Sequence, residues 1–280
     1  MLPGYNTNGF AHHRIEDALN LLREIGYRAV AITLDFDLLD PPDARGVPDA
    51  VRRLAPVLER SGLHPTVETG ARFTLDSRRK HQPTLVSASA EGRRRRLAYL
   101  KAAVDVAAAI GADVVSLWSG SPDDDAPGPV LWKRLVAGAT ELLDYAAERG
   151  IHLGFEPEPG MFIDTMAQFA QLTEQCRHPA RGLTLDVGHV FCLGDGDLTT
   201  HIQTWAGLLC NVHLEDMRRG VHEHLPFGQG EMEFGPVFAA LHQAGYAGPV
   251  HVELPRHSHD AVATARRAFE FLQTYLSHAH

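Results

Sequence analysis

Glu156, Asp186, His213 and Glu253 each close a short β-rich run, in Gly154-Phe-Glu-Pro, Leu183-Thr-Leu-Asp, Asn211-Val-His and His251-Val-Glu. A loop follows each run. Three carboxylates and an imidazole offer the oxygen and nitrogen donors that a divalent cation takes, and Mn, Mg, Co and Zn all accept such a set. At one level of a closed parallel barrel, four strand-end residues of this kind would converge on a single point.

Other polar residues sit close to these four in sequence. Pro157 ends ladder pairing just after Glu156 and sets Glu158 toward the same cavity, with a solvated acidic turn as the alternative. Asp186 and His189 form Asp-Val-Gly-His, which can present both side chains to one ligand across a glycine turn; the alternative is a helix cap and a surface histidine. A lone strand histidine such as His213 is more often a satisfied core residue, and Glu215 and Asp216 follow it where they can orient its other nitrogen. His222-Glu-His224 can bind a cation, opening the way to a second metal, although in a long loop such a pair is more often exposed. Gly228-Gln-Gly230 suggests a tight turn near a ligand. Glu253 lies inside an apolar run, a costly place for a charge unless it is paired or metal-bound.

The first half of the chain offers recognition residues more than donors. Glu68-Thr-Gly-Ala-Arg72 ends a strand, so Glu68 and Arg72 are expected to bind substrate. Trp118, Phe73 and Phe36, at or after strand ends, can wall a sugar ring or simply pack in the core. Tyr5, Asn6 and Asn8 follow the first strand with hydrogen-bonding groups to offer, and His12 and His13 have no assigned role. Of two basic runs, Arg78 to His81 lies in a strand-end loop where it can meet an anionic substrate group, while Arg93 to Arg96 opens a helix and reads as a solvated face.

The elements that must position these residues repeat one unit of helix, glycine and strand. Leu21 to Gly26 leads to Ala29 to Leu34, Val57 to Gly62 to Pro65 to Glu68, Val106 to Gly111 to Asp113 to Leu117, Tyr145 to Gly150 to His152 to Glu156, and Leu241 to Gly245 to Pro249 to Glu253. A glycine after a helical run is the expected left-handed cap. Strands near Tyr5, at Leu183 to Asp186 and at Cys210 to Leu214 bring the number to eight. Alternating βα units of this number predict an α/β fold, a single (β/α)8 TIM barrel with a parallel eight-stranded core. A doubly wound open sheet is the alternative, weakened by the lack of a glycine-rich phosphate fingerprint after the first strand. With no linker or low-complexity segment, residues 1–280 read as one domain. Loops at 35–48, 71–88, 120–128 and 217–233 follow strands, on the face where barrels build active sites. Pro56 should kink its helix or mark a late start.

Bulk properties agree. A formal net charge of -9 disfavours a nucleic-acid partner held by phosphate contacts. No apolar run approaches a membrane span and no signal peptide precedes the first strand, so a cytoplasmic protein is expected. Cys176, Cys192 and Cys210 are odd in number and lack CxxC spacing, which predicts buried free thiols.

From Glu-Pro at 156 through Asp-x-Gly-His at 186 to 189, Val-His-Leu-x-Asp at 212 to 216, a histidine followed by Gly-x-Gly, and Val-Glu at 252 to 253, the ordered set resembles the xylose isomerase-like TIM-barrel superfamily. The resemblance is strongest over residues 150–256; the first half agrees in layout only. Members include sugar and sugar-phosphate isomerases and epimerases, inosose dehydratases, hydroxypyruvate isomerases and AP endonucleases. The resemblance implies one divalent metal on Glu156, Asp186, His213 and Glu253, with the two glutamates doubling as acid and base. It further implies substrate contacts from His189, with Glu158 and His224 close by. The endonucleases hold three zinc ions and use histidines at strands three and four, where this chain has Glu68 and Trp118-Ser119.

The expected activity is a metal-dependent isomerase or epimerase of a small sugar or sugar phosphate, working through proton abstraction next to a carbonyl and an enediolate. A lyase of the inosose dehydratase type shares the first step. A multi-metal phosphodiester hydrolase and a non-catalytic binding barrel are the further alternatives. The partner is a small sugar or polyol, and barrels of this kind often pair, which leaves a homo-oligomer open.

Overall fold

The computed structural model describes residues 1–276. Its strands are β1 (Leu2–Asn6), β2 (Ala29–Thr33), β3 (His64–Glu68), β4 (Val114–Leu117), β5 (His152–Phe155), β6 (Arg181–Asp186), β7 (Leu209–Leu214), β8 (Asp216–Arg218), β9 (Val221–Leu225) and β10 (Pro249–Val252). All but β8 and β9 close into a barrel in the order β1-β10-β7-β6-β5-β4-β3-β2. The helices are α1 (Ile15–Ile25), α2 (Val47–Ser61), α3 (Ala90–Ile110), α4 (Gly128–Ala147), α5 (Met166–Gln175), α6 (Val187–Leu193), α7 (Leu198–Trp205), α8 (Phe234–Gln243) and α9 (Ala261–Leu276). Strands buried on both faces need continuous apolar runs, and Ala29-Val-Ala-Ile32 in β2 has no exposed surface at all. Gly111 shows why glycine separates helix from strand. At φ 75° it takes the left-handed conformation that other residues avoid, and its N–H closes on the Ala107 carbonyl.

Contacts within the chain are densest in two compact units, one of Met1–Ile32, Pro56–Pro65 and the described residues from Leu183, the other of Thr33–Ala55 and Thr66–Gly182. In the first, β6, β7 and β10 run in register, with Asp186 opposite His213 and His213 opposite His251. The Glu253 N–H, just past β10, donates to the Leu214 carbonyl at 3.0 Å. In the second, Glu68 pairs with Ser116, and Leu117 with Phe155.

The structure departs from the sequence reading in several places. The segment 217–233 is not one loop, because β8 and β9 form an antiparallel hairpin across Arg219-Gly220, with Gly220 at φ 72°. His222 and His224 therefore lie two apart on a strand and share a face. Helix α2 does not start late at Pro56 but runs from Val47 through it. Arg96 is not on a solvated face, being only 1% exposed. Phe36 and Phe73 are not core, at 69% and 51% exposed. All three cysteines are free, with Cys176 and Cys192 buried and Cys210 half-buried.

Asp216 holds the segment after the hairpin. Its carboxylate accepts the N–H groups of Met217, Gly228, Gly230 and Met232 at 3.0, 2.8, 2.9 and 3.1 Å. A side chain at Gly230 would collide with that carboxylate, which explains the second glycine of Gly-Gln-Gly. Asp216 thus organises backbone and does not orient His213. Replacing Asp216 by Ala strands these donors, and we expect a loss on the order of 3 kcal/mol in urea unfolding, with faster amide exchange at Gly228 and Gly230. Unchanged stability and exchange would contradict this role.

Candidate metal centre

Asp186 ends β6 and also caps α6. Its Oδ1 accepts the His189 N–H at 2.9 Å. Its Oδ2 is buried without a hydrogen-bond partner, 3.4 Å from His189 Nε2 and 4.0 Å from His213 Nδ1. The two readings of Asp186 as cap and as donor are therefore compatible, one oxygen serving each. His213 Nδ1 lies 2.9 Å from Glu253 Oε2, and Glu253 Oε1 accepts from Asn8 Nδ2 at 2.7 Å. On the far side of the ring, Asn211 Nδ2 donates to His213 Nε2 at 3.1 Å, while Asn211 Oδ1 meets His251 Nδ1 at 2.8 Å. Nδ1 is thus the nitrogen turned toward the carboxylates, held there by a buried amide. The sequence reading did not single out Asn211 and His251. The signal was present, since each precedes a donor by two positions and so shares its side of the strand.

Glu156 follows β5, its N–H bound to the Leu117 carbonyl at 2.8 Å. One donor atom from each of Asp186, His213 and Glu253, all in the first unit, falls in a set whose members lie within 4.8 Å of one another. Glu158, two residues on, is half-buried. His222 Nε2 lies 3.1 Å from His189 Nε2, and His224 Nδ1 lies 3.6 Å from Glu215 Oε2.

Electrostatics separate these groups. Burial pushes the Asp186 and Glu253 carboxyls up, but imidazoles outweigh it, His189 foremost for Asp186 and His213 for Glu253, so both are held below the usual carboxylate range. Glu215 is pushed well above that range by burial and by Asp186. Burial brings His189 down to about 4 against the attraction of Asp186, which leaves a neutral imidazole at neutral pH.

The remaining expected site residues of the first half belong to the second compact unit. Glu68 is buried at the end of β3. Trp118, just beyond β4, is capped edge-on by His81 at 5.1 Å and faced by the Arg96 guanidinium at 4.6 Å from its ring centre. Arg96 also donates to the Thr69 carbonyl at 2.8 Å. Arg72 is paired with Asp35, so its charge is already balanced.

The Asp186, His213 and Glu253 donors suit a divalent cation: they are carboxylate oxygens and one imidazole, and Asp186 Oδ2 is buried without a hydrogen-bond partner. Residues 19–275 match the family model described as the xylose isomerase-like TIM barrel. The chain belongs to that family. A family relative, L-ribulose-5-phosphate 3-epimerase of Shigella flexneri serotype 5b (strain 8401), is 24% identical over 259 residues, 89% of each chain. The enzyme of that name from Escherichia coli O17:K52:H18 is 25% identical over 148 residues, 52% of each chain. Among solved structures, D-allulose 3-epimerase from Methylomonas sp. in complex with D-allulose superimposes with a TM-score of 0.78 at 19% identity, covering 98% of this chain and 97% of that one. The 3-keto-D-glucoside 4-epimerase of E. coli gives 0.79 at 17% identity, covering 98% and 99%.

A neutral buried His189 makes a pH prediction. Its folded pKa, about 4, lies below its unfolded value near 6.5, so the unfolded chain binds the extra proton between those values. Its contribution is complete above pH ~6.5 and is lost as pH falls toward ~4. Urea unfolding of metal-free protein should weaken over that window, and His189→Gln should flatten the fall by on the order of 2 kcal/mol. A variant with the same pH dependence as the parent would contradict a buried neutral His189.

Proposed function

We propose that the chain is a divalent-cation-dependent epimerase or isomerase of a small ketose or ketose phosphate. The observation that carries this reading is the Asp186, His213 and Glu253 donor set at the strand ends of a barrel whose relatives are sugar epimerases, with Glu156 as the expected fourth donor. When bound, the cation supplies Lewis-acid polarisation of a substrate carbonyl and its neighbouring hydroxyl. Mn, Mg, Co or Zn would suit the donors. Glu156, Asp186, His213 and Glu253 hold it, and Asn211 keeps His213 Nδ1 aimed inward.

Glu156 and Glu253 exchange the proton next to the carbonyl, one removing it and the other returning it. Glu253 is held ionised by His213 and fixed in direction by His213 and Asn8, so its placement rather than its basicity suits it to the proton. His189, neutral and buried, contacts substrate oxygens, with Glu158 and His224 beside it. Glu68, Trp118 and Arg72 contribute recognition from the ends of β3 and β4, Trp118 as an apolar wall for a sugar carbon face. A dehydratase would share the proton abstraction and differ in losing a β-hydroxyl. The cluster of His189, His222 and His224 favours a multi-metal hydrolase, while the histidine-free ends of β3 and β4 speak against it. No helix among the described residues is long and apolar enough to cross a membrane. A cytoplasmic setting and pairing of copies belong to this proposal.

Deuterium exchange tests it. Incubated in D2O with Mn2+ and D-allulose or L-ribulose 5-phosphate, the protein should place deuterium next to the substrate carbonyl, visible by proton NMR. Chelation should abolish exchange, and Glu253→Gln should slow it by about 10²–10⁴-fold. Full exchange under chelation or in that variant would remove the metal or Glu253 from the mechanism. Loss of water from the substrate would select the dehydratase reading.

A further inference from the structure

Asn8 carries two polar side-chain groups, and the chain engages one of them. Its Nδ2 donates to Glu253 Oε1 at 2.7 Å. Its Oδ1 is buried without a hydrogen-bond partner. The amide cannot turn over to exchange these roles. Against burial, His213 holds Glu253 ionised, and an ionised carboxylate only accepts, so the amide must face it with the nitrogen. Oδ1 is therefore fixed as an acceptor beside the carboxylate that the proposed function uses for proton transfer.

The backbone around Asn8 is pinned on both sides. Its N–H donates to Asn6 Oδ1 at 3.0 Å. Ser258 Oγ donates to its carbonyl at 3.2 Å and accepts the Ala11 N–H at 3.1 Å. Gly9, next in the chain, packs so tightly on Tyr5 that a side chain there would overlap the ring. The 3-10 turn Thr7–Phe10, held in this way, sets the amide in one place. A buried acceptor gives up water, and this one gains no donor from the chain in return. A ligand that supplies the donor offsets that cost.

We infer that Asn8 Oδ1 accepts a hydroxyl of the substrate, the one on the carbon next to the carbon that Glu253 deprotonates. The inference rests on the ketose reading of the site. In a ketose with its carbonyl at C2, that hydroxyl is on C4. A phosphate or carboxylate does not suit the position, because ionised Glu253 would repel it. One amide then serves both partners. The hydroxyl donates to Oδ1 while Nδ2 donates to Glu253, and each bond polarises the other. A sugar without that hydroxyl leaves Oδ1 stranded, and a site built to bind a hydroxyl rejects such an analogue.

Sugar binding tests this role apart from turnover. D-allulose and its 4-deoxy analogue are each titrated calorimetrically into the full chain loaded with Mn2+, as wild type and as Asn8→Ala. The wild type should bind D-allulose about 10–100-fold more tightly than the analogue, and Asn8→Ala should bind the two alike. If Asn8→Ala fails to fold by circular dichroism, Asn8→Leu, which keeps the shape of the side chain without its polar atoms, carries the same expectation. A variant that weakens both sugars equally and keeps the wild-type preference would overturn the inference and leave Asn8 as a support for Glu253 alone. Equal binding of the two sugars by the wild type, with deuterium still exchanging into D-allulose, would overturn it while leaving the proposed function standing. Binding of neither sugar, with no deuterium exchange, would overturn both.

Discussion

The organising constraint is charge compensation for buried carboxylates. Asp186 and Glu253 sit close together and Glu215 adds a third acid, with imidazoles as their nearest cationic neighbours. In a medium of low polarisability each ion must be neutralised, protonated or coordinated. The chain visibly uses two of these routes: His213 holds Glu253 in its ionised form and burial drives Glu215 toward its acid, while Asp186 Oδ2 is buried without a hydrogen-bond partner. A cation would satisfy these acids at once, so the local chemistry and the proposed reaction have the same requirement.

The barrel converts that requirement into geometry. Parallel register puts Asp186 level with His213, and the strand ends leave their side chains at the mouth. Behind the donors, the Asn211 and His251 pair fixes the imidazole and the Asp216 carboxylate fixes the loop that follows the hairpin. Two glycines act by absence: Gly188 leaves space for Glu215, and Gly230 for Asp216. Motifs that read as Asp-x-Gly-His and Gly-x-Gly are thus partly statements about where a side chain cannot be.

Much of this was legible in the sequence for a physical reason. A buried strand is an apolar run, so an acidic or histidine residue at its end is conspicuous, and glycine caps mark the helix ends that precede the strands. The hairpin β8 and β9 was hidden because Val221-His-Glu-His-Leu225 has three polar residues in a row and no apolar alternation. Arg96 was hidden inside a run of four arginines, where only its packing between Trp118 and Tyr99 sets it apart. Asp216 was placed as a partner for His213 because adjacency in sequence is a poor guide to which backbone donors a carboxylate will meet. Asp186, His213 and Glu253 lie together within the first unit, and Arg72 is tied to Asp35, a pairing that nothing in the local sequence announces.

The most direct test of the account is a crystal grown with Mn2+ and measured at the manganese absorption edge. The account predicts an anomalous peak bounded by Glu156, Asp186, His213 Nδ1 and Glu253, with the Asn211 amide still against His213 Nε2. A manganese-soaked crystal with no peak at those four side chains, or with its only peak elsewhere, would contradict it.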